Sequence, residues 1–231
     1  MTYNIHHANP PAQKDVIDLE AIAAVIKAQA PDLVALQELD VNTKRNGGVD
    51  QVKKLAELTG MYGFFSKGID FEGGEYGVAI LSRHKIQDTE RFPLPFKEGL
   101  KYEQRSLAVI TVTIKGLGKL NFACTHLDLK DEHRLLQVTA ISKILGNRKQ
   151  PVILAGDFNF QASNPAMQIM EQHFTRSCTE NCAPTIPDVN PSSEIDFVFL
   201  KKGSKLKVTS HQVLNDLHAS DHLPVVVTYR F

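Results

Sequence analysis

Along this chain, short apolar runs alternate with segments whose apolar residues recur every three or four positions, so strands and helices are expected to take turns. Leu19, Ile22, Ala23 and Ile26 share one face of a helix expected over Asp15 to Gln29, and Pro31 stops it. Leu33 to Gln37 reads as a short buried strand, Asp50 to Thr59 as a second helix ended by Gly60, and Glu75 to Ser82 as a strand. Ser106 to Ile114 and Lys119 to Thr125, broken by Gly116 and Gly118, form an antiparallel hairpin. Asp131 to Leu145 has the strongest helical register, through Leu135, Val138, Ile141 and Leu145, with Gly146 as its C-cap. Pro151 to Ala155 is a buried strand and Pro165 to His173 a short helix. Strand and turn then alternate through Ile195 to Leu200, Lys205 to Val213 and Pro224 to Tyr229.

No repeat, low-complexity tract or linker divides the chain. The most irregular stretch, Thr175 to Ser193 with Pro184, Pro187 and Pro191, reads as a surface loop. One domain over residues 1–231 is expected, an α/β protein in which mixed sheets carry helices on the outside.

Composition narrows the function. The 231 residues are 42% hydrophobic and 23% charged, enough for a sizeable core. Lys plus Arg number 26 and Asp plus Glu 26, so no net positive field attracts a polyanion, and no stable nucleic-acid complex is expected. No apolar run reaches the roughly 18 to 20 residues of a membrane span. Asn4, His6 and His7 stand where a signal peptide needs an apolar core. A soluble, mature monomer is expected. Met1 opens directly on a strand, which suggests an exported protein whose leader was removed from a longer precursor. The 3 cysteines lack the paired spacing of a zinc site. Cys124 reads as core, whereas Cys178 and Cys182 are either a bridge or two unrelated thiols, depending on how the loop turns.

The chemistry lies where strands end. Apolar runs stop on acid, amide or imidazole at Thr2-Tyr3-Asn4, Leu36-Gln37-Glu38, Thr125-His126-Leu127, Gly156-Asp157-Phe158-Asn159, Ile195-Asp196-Phe197 and Ser220-Asp221-His222. Singly, each has an ordinary explanation: Glu38 as a solvated strand end, Asn4 in a turn, His126 as a core imidazole, Asp196 or Asp221 capping backbone. Asp157 and Asn159 stand out, since residues two apart on extended backbone point to one side. Ligands of sheet-based α/β proteins commonly bind at strand ends, so the six endings are expected to share one cleft.

Together these blocks resemble the endonuclease/exonuclease/phosphatase superfamily, in order and over essentially the whole chain. Gln37-Glu38, Gly156-Asp157-Phe158-Asn159 and Ser220-Asp221-His222 are the most specific, supported by Tyr76 to Arg83 and by the spacing from Arg134 to Gln137. The resemblance implies a four-layer α/β sandwich, two packed mixed β-sheets flanked by helices, with the site at one edge. It also implies hydrolysis of a phosphate ester with a divalent cation, usually magnesium, with manganese as the alternative. By that resemblance Glu38 is the first metal ligand, Asn4 lies beside it, and Asp221 supplies or supports a second acidic contact. His222, with Asp196 as its hydrogen-bond partner, competes with Asp157 for the role of base. Asn159 and His126 would donate to water or phosphoryl oxygens, and His126 favours the phosphatase, sphingomyelinase and deoxyribonuclease branches.

Arg105 at a strand start and Arg45 in a Gly-rich loop are candidate phosphate clamps, and Tyr76 a candidate cleft wall. His6 and His7 are expected on opposite faces of an extended strand. The leading expectation is a metal-dependent phosphoesterase acting on a small or lipid-linked ester. A nuclease is the alternative within the superfamily, and a catalytically silent binding scaffold is the alternative from another class.

Overall fold

Two βαβ units organise the chain, which the computed structural model describes over residues 1–215 and 218–231. In the first, β1 (Thr2–Asn4) runs parallel to β2 (Leu33–Val41), with α1 (Leu19–Gln29) between them. In the second, β7 (Gly118–His126) runs parallel to β8 (Val152–Asp157), with α3 (Asp131–Gly146) between them. Antiparallel strands widen each pair into a six-stranded mixed sheet. The first sheet gains β3 (Tyr62–Phe71), β4 (Gly74–Ser82), β11 (Lys207–Val213) and β12 (Val225–Arg230), in the order β11-β12-β1-β2-β4-β3. The second gains β5 (Asp88–Pro93), β6 (Ser106–Ile114), β9 (Phe174–Arg176) and β10 (Asp196–Lys201), in the order β5-β6-β7-β8-β10-β9. The remaining helices are α2 (Gln51–Thr59) and α4 (Pro165–Met170).

Three apolar layers separate four layers of structure, as expected for the sandwich. Ile22, Ile26, Leu36, Leu55 and Leu81 pack α1 and α2 on the first sheet. Val138, Ile141, Leu145, Leu154 and Phe199 pack α3 on the second. Ala35, Ile80, Ala108, Ile110, Phe122 and Ala155 fill the space between the sheets. With both faces covered, central strands read as continuous apolar runs. Within that middle layer Gln37 Nε2 donates to Thr2 Oγ1 at 3.2 Å and to Cys124 Sγ at 3.2 Å, and the Cys124 thiol donates to Leu36 O at 3.3 Å. This polar tie fixes one sheet against the other directly below the strand ends that carry the chemistry.

Several boundaries differ from the expectation for local reasons. Helix α1 starts at Leu19, not Asp15, because the Asp18 carboxylate accepts from Ala21 N at 2.9 Å and caps it there. In α3 Leu135 points outward, 38% exposed, because the inner face is shared with polar side chains: Gln137 Oε1 accepts from Asp128 N at 2.9 Å, and His133 faces Asp128 at 3.1 Å. Gly146 lies inside the last turn of α3 with Asn147 as the cap, and a Cβ there would meet the His173 ring at 2.9 Å. His6 and His7 do not extend β1. They form a 3-10 turn in which His6, His7 and Ala8 all have positive φ, 46°, 45° and 61°. Cys178 and Cys182 are bonded to each other, with Cα atoms 5.8 Å apart.

Candidate active site

Both parallel strand pairs end at the same edge of the sandwich. Asn4 closes β1, Glu38 sits in β2, His126 closes β7 and Asp157 closes β8. Glu38 occupies an irregularity in the β2–β4 pairing between Leu36 and Leu39, with φ 62°, which turns its carboxylate out of the ladder. The fully buried Asn4 amide then bridges the sheets: Nδ2 donates to Glu38 Oε1 at 2.9 Å and to Asp157 Oδ2 at 3.1 Å. Asn4 Oδ1 accepts from His6 N at 3.1 Å, so the left-handed turn after β1 sets which face of the amide points inward.

Asp196 opens β10 directly opposite Asp157, and its Oδ2 lies 2.9 Å from His222 Nδ1. The Ser220-Asp221-His222 segment is held against β1 by Ser220 Oγ, which donates to Asn4 O at 2.7 Å. Burial alone would lower the His222 pKa, but the nearby Asp196, Asp157 and Asp221 carboxylates outweigh it and raise the group, so the imidazolium is favoured. Burial and the facing Asp196 push Asp157 up, against the opposing pull of His222 and of the N–H groups of Asn159 and Asn4. Asn159 N donates to Asp157 Oδ1 at 2.8 Å, and the Asn159 side chain, set by a φ of 53°, donates to Leu127 O at 2.9 Å. The Arg134 guanidinium donates to Asn159 O and also meets Asp131 at 2.5 Å.

His126 is held in one tautomer. Arg105 Nη1 lies 3.1 Å from its Nδ1, and because a guanidinium only donates, Nδ1 accepts and the proton sits on Nε2. Nε2 lies 3.5 Å from Asp157 Oδ2. Burial, then Arg105 and His222, hold the His126 pKa well below that of a free imidazole, so the ring is neutral. Arg105 also meets Glu103 at 3.2 Å, and Tyr76, Arg105 and His126 line one small notch beside Gly77.

The structure thus brings together Asn4, Glu38, His126, Asp157, Asn159, Asp196 and His222, with Asp221 near enough for its charge to act on His222 and with Arg105 and Tyr76 at the border. Arg45 is held by Asp40 next to Tyr76: its Nε and Nη2 meet Asp40 at 2.6 and 2.8 Å, and its guanidinium lies 4.6 Å from the Phe71 ring centre and 5.6 Å from that of Tyr76. Sequence reasoning missed Asp40, which fixes Arg45, and Thr185, which donates to Asp196 Oδ2 at 2.6 Å. Both lack a motif, and Thr185 lies in a stretch with no periodicity.

The donor set fits a divalent cation. Asp157, Asp196 and His222 each offer a ligand atom within 4.8 Å of one another, a group compact enough to hold a metal ion. Asp196 Oδ1 is buried with no hydrogen-bond partner, and Glu38 accepts its side-chain hydrogen bond from Asn4. Hard oxygen donors in excess of nearby positive charge are what a magnesium-like ion neutralises.

Residues 1–222 match the family model described as the Endonuclease/Exonuclease/phosphatase family. No curated protein matches the chain. Among solved structures, the endonuclease/exonuclease/phosphatase from Beutenbergia cavernae DSM 12333 is 28% identical with a TM-score of 0.83, over 99% of this chain and 70% of that one. The mannosyl-6-phosphatase Bt3783 of Bacteroides thetaiotaomicron VPI-5482 is 19% identical with a TM-score of 0.78, over 100% of this chain and 98% of that one. D. rerio TDP2 complexed with single strand DNA product is 19% identical with a TM-score of 0.76, over 100% of this chain and 97% of that one. The last two share the fold.

Proposed function

The chain belongs to the endonuclease/exonuclease/phosphatase family, and from that premise we propose that it is a divalent-metal-dependent hydrolase of a small or lipid-linked phosphate ester, cleaving by water attack at phosphorus. The observation that carries this reading is the Asn4 bridge, one amide nitrogen shared by Glu38 and Asp157. It couples a carboxylate suited to a metal with a carboxylate suited to a water, across the seam between the sheets. Glu38 would hold magnesium, or manganese, with Asp221 supplying or supporting a second acidic contact, and the ion would supply charge neutralisation at the phosphoryl oxygens. Asn4, whose oxygen accepts from His6 N, presents Nδ2 and steers the Glu38 carboxylate.

The chain's own groups divide the remaining work. Asp157, backed by Asn159 N on its other oxygen, is aimed at the space between His126 and His222 and orients the attacking water. Asp196 holds His222 by Nδ1 and turns Nε2 into the site, 3.5 Å from Asn4 Nδ2 and 3.7 Å from Asp157 Oδ2, where it exchanges a proton. His126, neutral and with its proton on Nε2, donates to a non-bridging oxygen as charge builds there. Arg105 positions His126, and Tyr76 borders the entrance. The Cys178–Cys182 bond suits an oxidising compartment, in keeping with export.

The fold does not choose the ester, since a mannosyl-6-phosphatase and a TDP2 with single strand DNA product both carry it. Charge favours the smaller substrate: with 26 basic and 26 acidic side chains the protein as a whole does not attract a long polyanion. The test compares sugar phosphates, inositol phosphates, sphingomyelin-type diesters and plasmid DNA at matched enzyme concentration and physiological salt, with magnesium and then with chelator. Turnover of a small or lipid-linked ester that disappears in chelator is expected. Plasmid nicking faster than every small ester would favour the nuclease reading, and no turnover of any substrate would favour a silent scaffold.

A further inference from the structure

Thr185 is fully buried in the irregular segment before β10; its hydroxyl reaches Asp196 and its carbonyl the backbone next to His222. Its hydroxyl donates to Asp196 Oδ2 at 2.6 Å, the oxygen that His222 Nδ1 meets at 2.9 Å. The same hydroxyl oxygen accepts from Asp196 N and Ile195 N, each at 3.3 Å. Its carbonyl accepts from Leu223 N at 2.7 Å, the peptide that follows His222. The other carboxylate oxygen, Asp196 Oδ1, has no hydrogen-bond partner. Among the described residues, the carboxylate is therefore oriented by two groups only, His222 and Thr185.

We propose that Thr185 is a positioning residue for the hydrolysis, holding Asp196 so that Oδ2 faces His222 Nδ1 and fixing the imidazole in the orientation that leaves Nε2 towards the site. The inference rests on the reading of Asp196 and His222 as a working pair. An aspartate with one free oxygen rotates readily about its terminal torsion, which has broad wells. The hydroxyl removes that freedom, while its acceptor role ties the carboxylate to the backbone at the start of its own strand. Thr185 is itself fixed, because Thr185 N and Ile186 N both donate to Ser193 O, at 2.8 and 3.1 Å, closing the segment into an antiparallel bridge. The segment that composition marks only as a loop is thus a brace behind the pair.

The experiment compares Thr185→Val, which keeps shape and loses the hydroxyl, with Thr185→Ser, which keeps the hydroxyl, each alone and combined with Asp196→Ala. Thr185→Val is expected to lower kcat by about 10- to 100-fold, as loss of a supporting hydrogen bond does elsewhere, with KM within about twofold. Thr185→Ser is expected to restore most of kcat, and Thr185→Val to add nothing in the Asp196→Ala background. Unchanged kcat in Thr185→Val, failure of the serine to rescue, or an equal loss in the Asp196→Ala background would each overturn the proposal. The 15N shifts of the His222 ring, read by NMR without substrate, are expected to move in Thr185→Val and to stay in Thr185→Ser. That readout separates the two ideas: if no ester is turned over, the proposed function fails while moved shifts still support the brace, and unmoved shifts overturn it.

Discussion

Asp157 and Asp196 stand directly opposite each other in the antiparallel β8–β10 ladder, both about 1% exposed. Like charges so placed repel, and the cost grows where water is excluded. The imidazole of His222 lies between them, with Nδ1 2.9 Å from Asp196 Oδ2 and Nε2 3.7 Å from Asp157 Oδ2. Three titratable groups therefore share one site: burial and the facing Asp196 raise Asp157, while the Asp196, Asp157 and Asp221 carboxylates raise His222 against the lowering effect of its own burial. Such an arrangement is costly for folding and suited to moving a proton.

The first prediction follows from the 2.9 Å contact. Asp196→Ala and His222→Ala are each expected to lower kcat by about 10²- to 10⁴-fold, the usual share of a positioned acid or base. The double variant is expected to fall little further, since either loss disables the unit. Single-turnover rates for the four proteins test this. Multiplication of the two losses would show independent groups.

A second concerns the metal. A ligand that binds only the folded protein stabilises it by about 2.7 kcal/mol at a hundred times its Kd. Magnesium is therefore expected to raise the melting temperature of the metal-free protein, and chelator to reverse the rise together with activity. Glu38→Gln is expected to abolish the shift and leave the melting temperature in chelator close to that of the parent, because the amide oxygen still accepts from Asn4 Nδ2. A full magnesium shift in Glu38→Gln would move the ion to other ligands.

Arg45 gives a third. Its fork spans the fully buried Asp40, which otherwise accepts from Thr43 Oγ1 at 3.0 Å. Arg45→Ala is expected to lower unfolding stability by about 1 to 3 kcal/mol, the cost of a buried acceptor left unsatisfied, with its partial exposure keeping the loss toward the lower end. Urea unfolding and a KM measurement divide the roles. A higher KM with unchanged stability would return Arg45 to the phosphate.

What the sequence conveyed depended on where each strand sits. The central strands β2, β4, β7, β8 and β10 are covered on both faces and read as apolar runs. The three strands that escaped notice, β3, β5 and β9, are all sheet edges. Edge strands carry polar residues such as Lys67, Glu90 and Arg176, which blunt the edge and erase the pattern. The site was legible because strand-end residues stay adjacent to their motif partners in sequence. Thr185 acts on Asp196 across 11 residues of irregular chain and Asp40 on Arg45 across 5 residues that leave the strand, so neither pair has a periodic spacing that points to it.

The last prediction joins the core to the site. Phe158 separates Asp157 from Asn159 and is fully buried, with ring centres of Phe160, Phe197 and Phe199 at 5.8, 5.9 and 5.0 Å, each meeting it edge-on. Its backbone N donates to Ile195 O at 2.9 Å, so ring and backbone together hold the end of β8 against the start of β10. Phe158→Ala is expected to lower unfolding stability by about 3 to 5 kcal/mol through lost burial and the cavity left behind. Phe158→Leu keeps most of the volume but loses the edge-on contacts, and is expected to fall between the two. Because a misplacement of about 1 Å at the reacting groups can cost 10²-fold, kcat is expected to drop in Phe158→Ala even where the protein remains folded. Urea unfolding and kcat measured well below the transition test both halves. A stability loss under about 1 kcal/mol would mean that neighbouring side chains close the cavity, and unchanged kcat would mean that Asp157 and Asn159 hold their places without the ring between them.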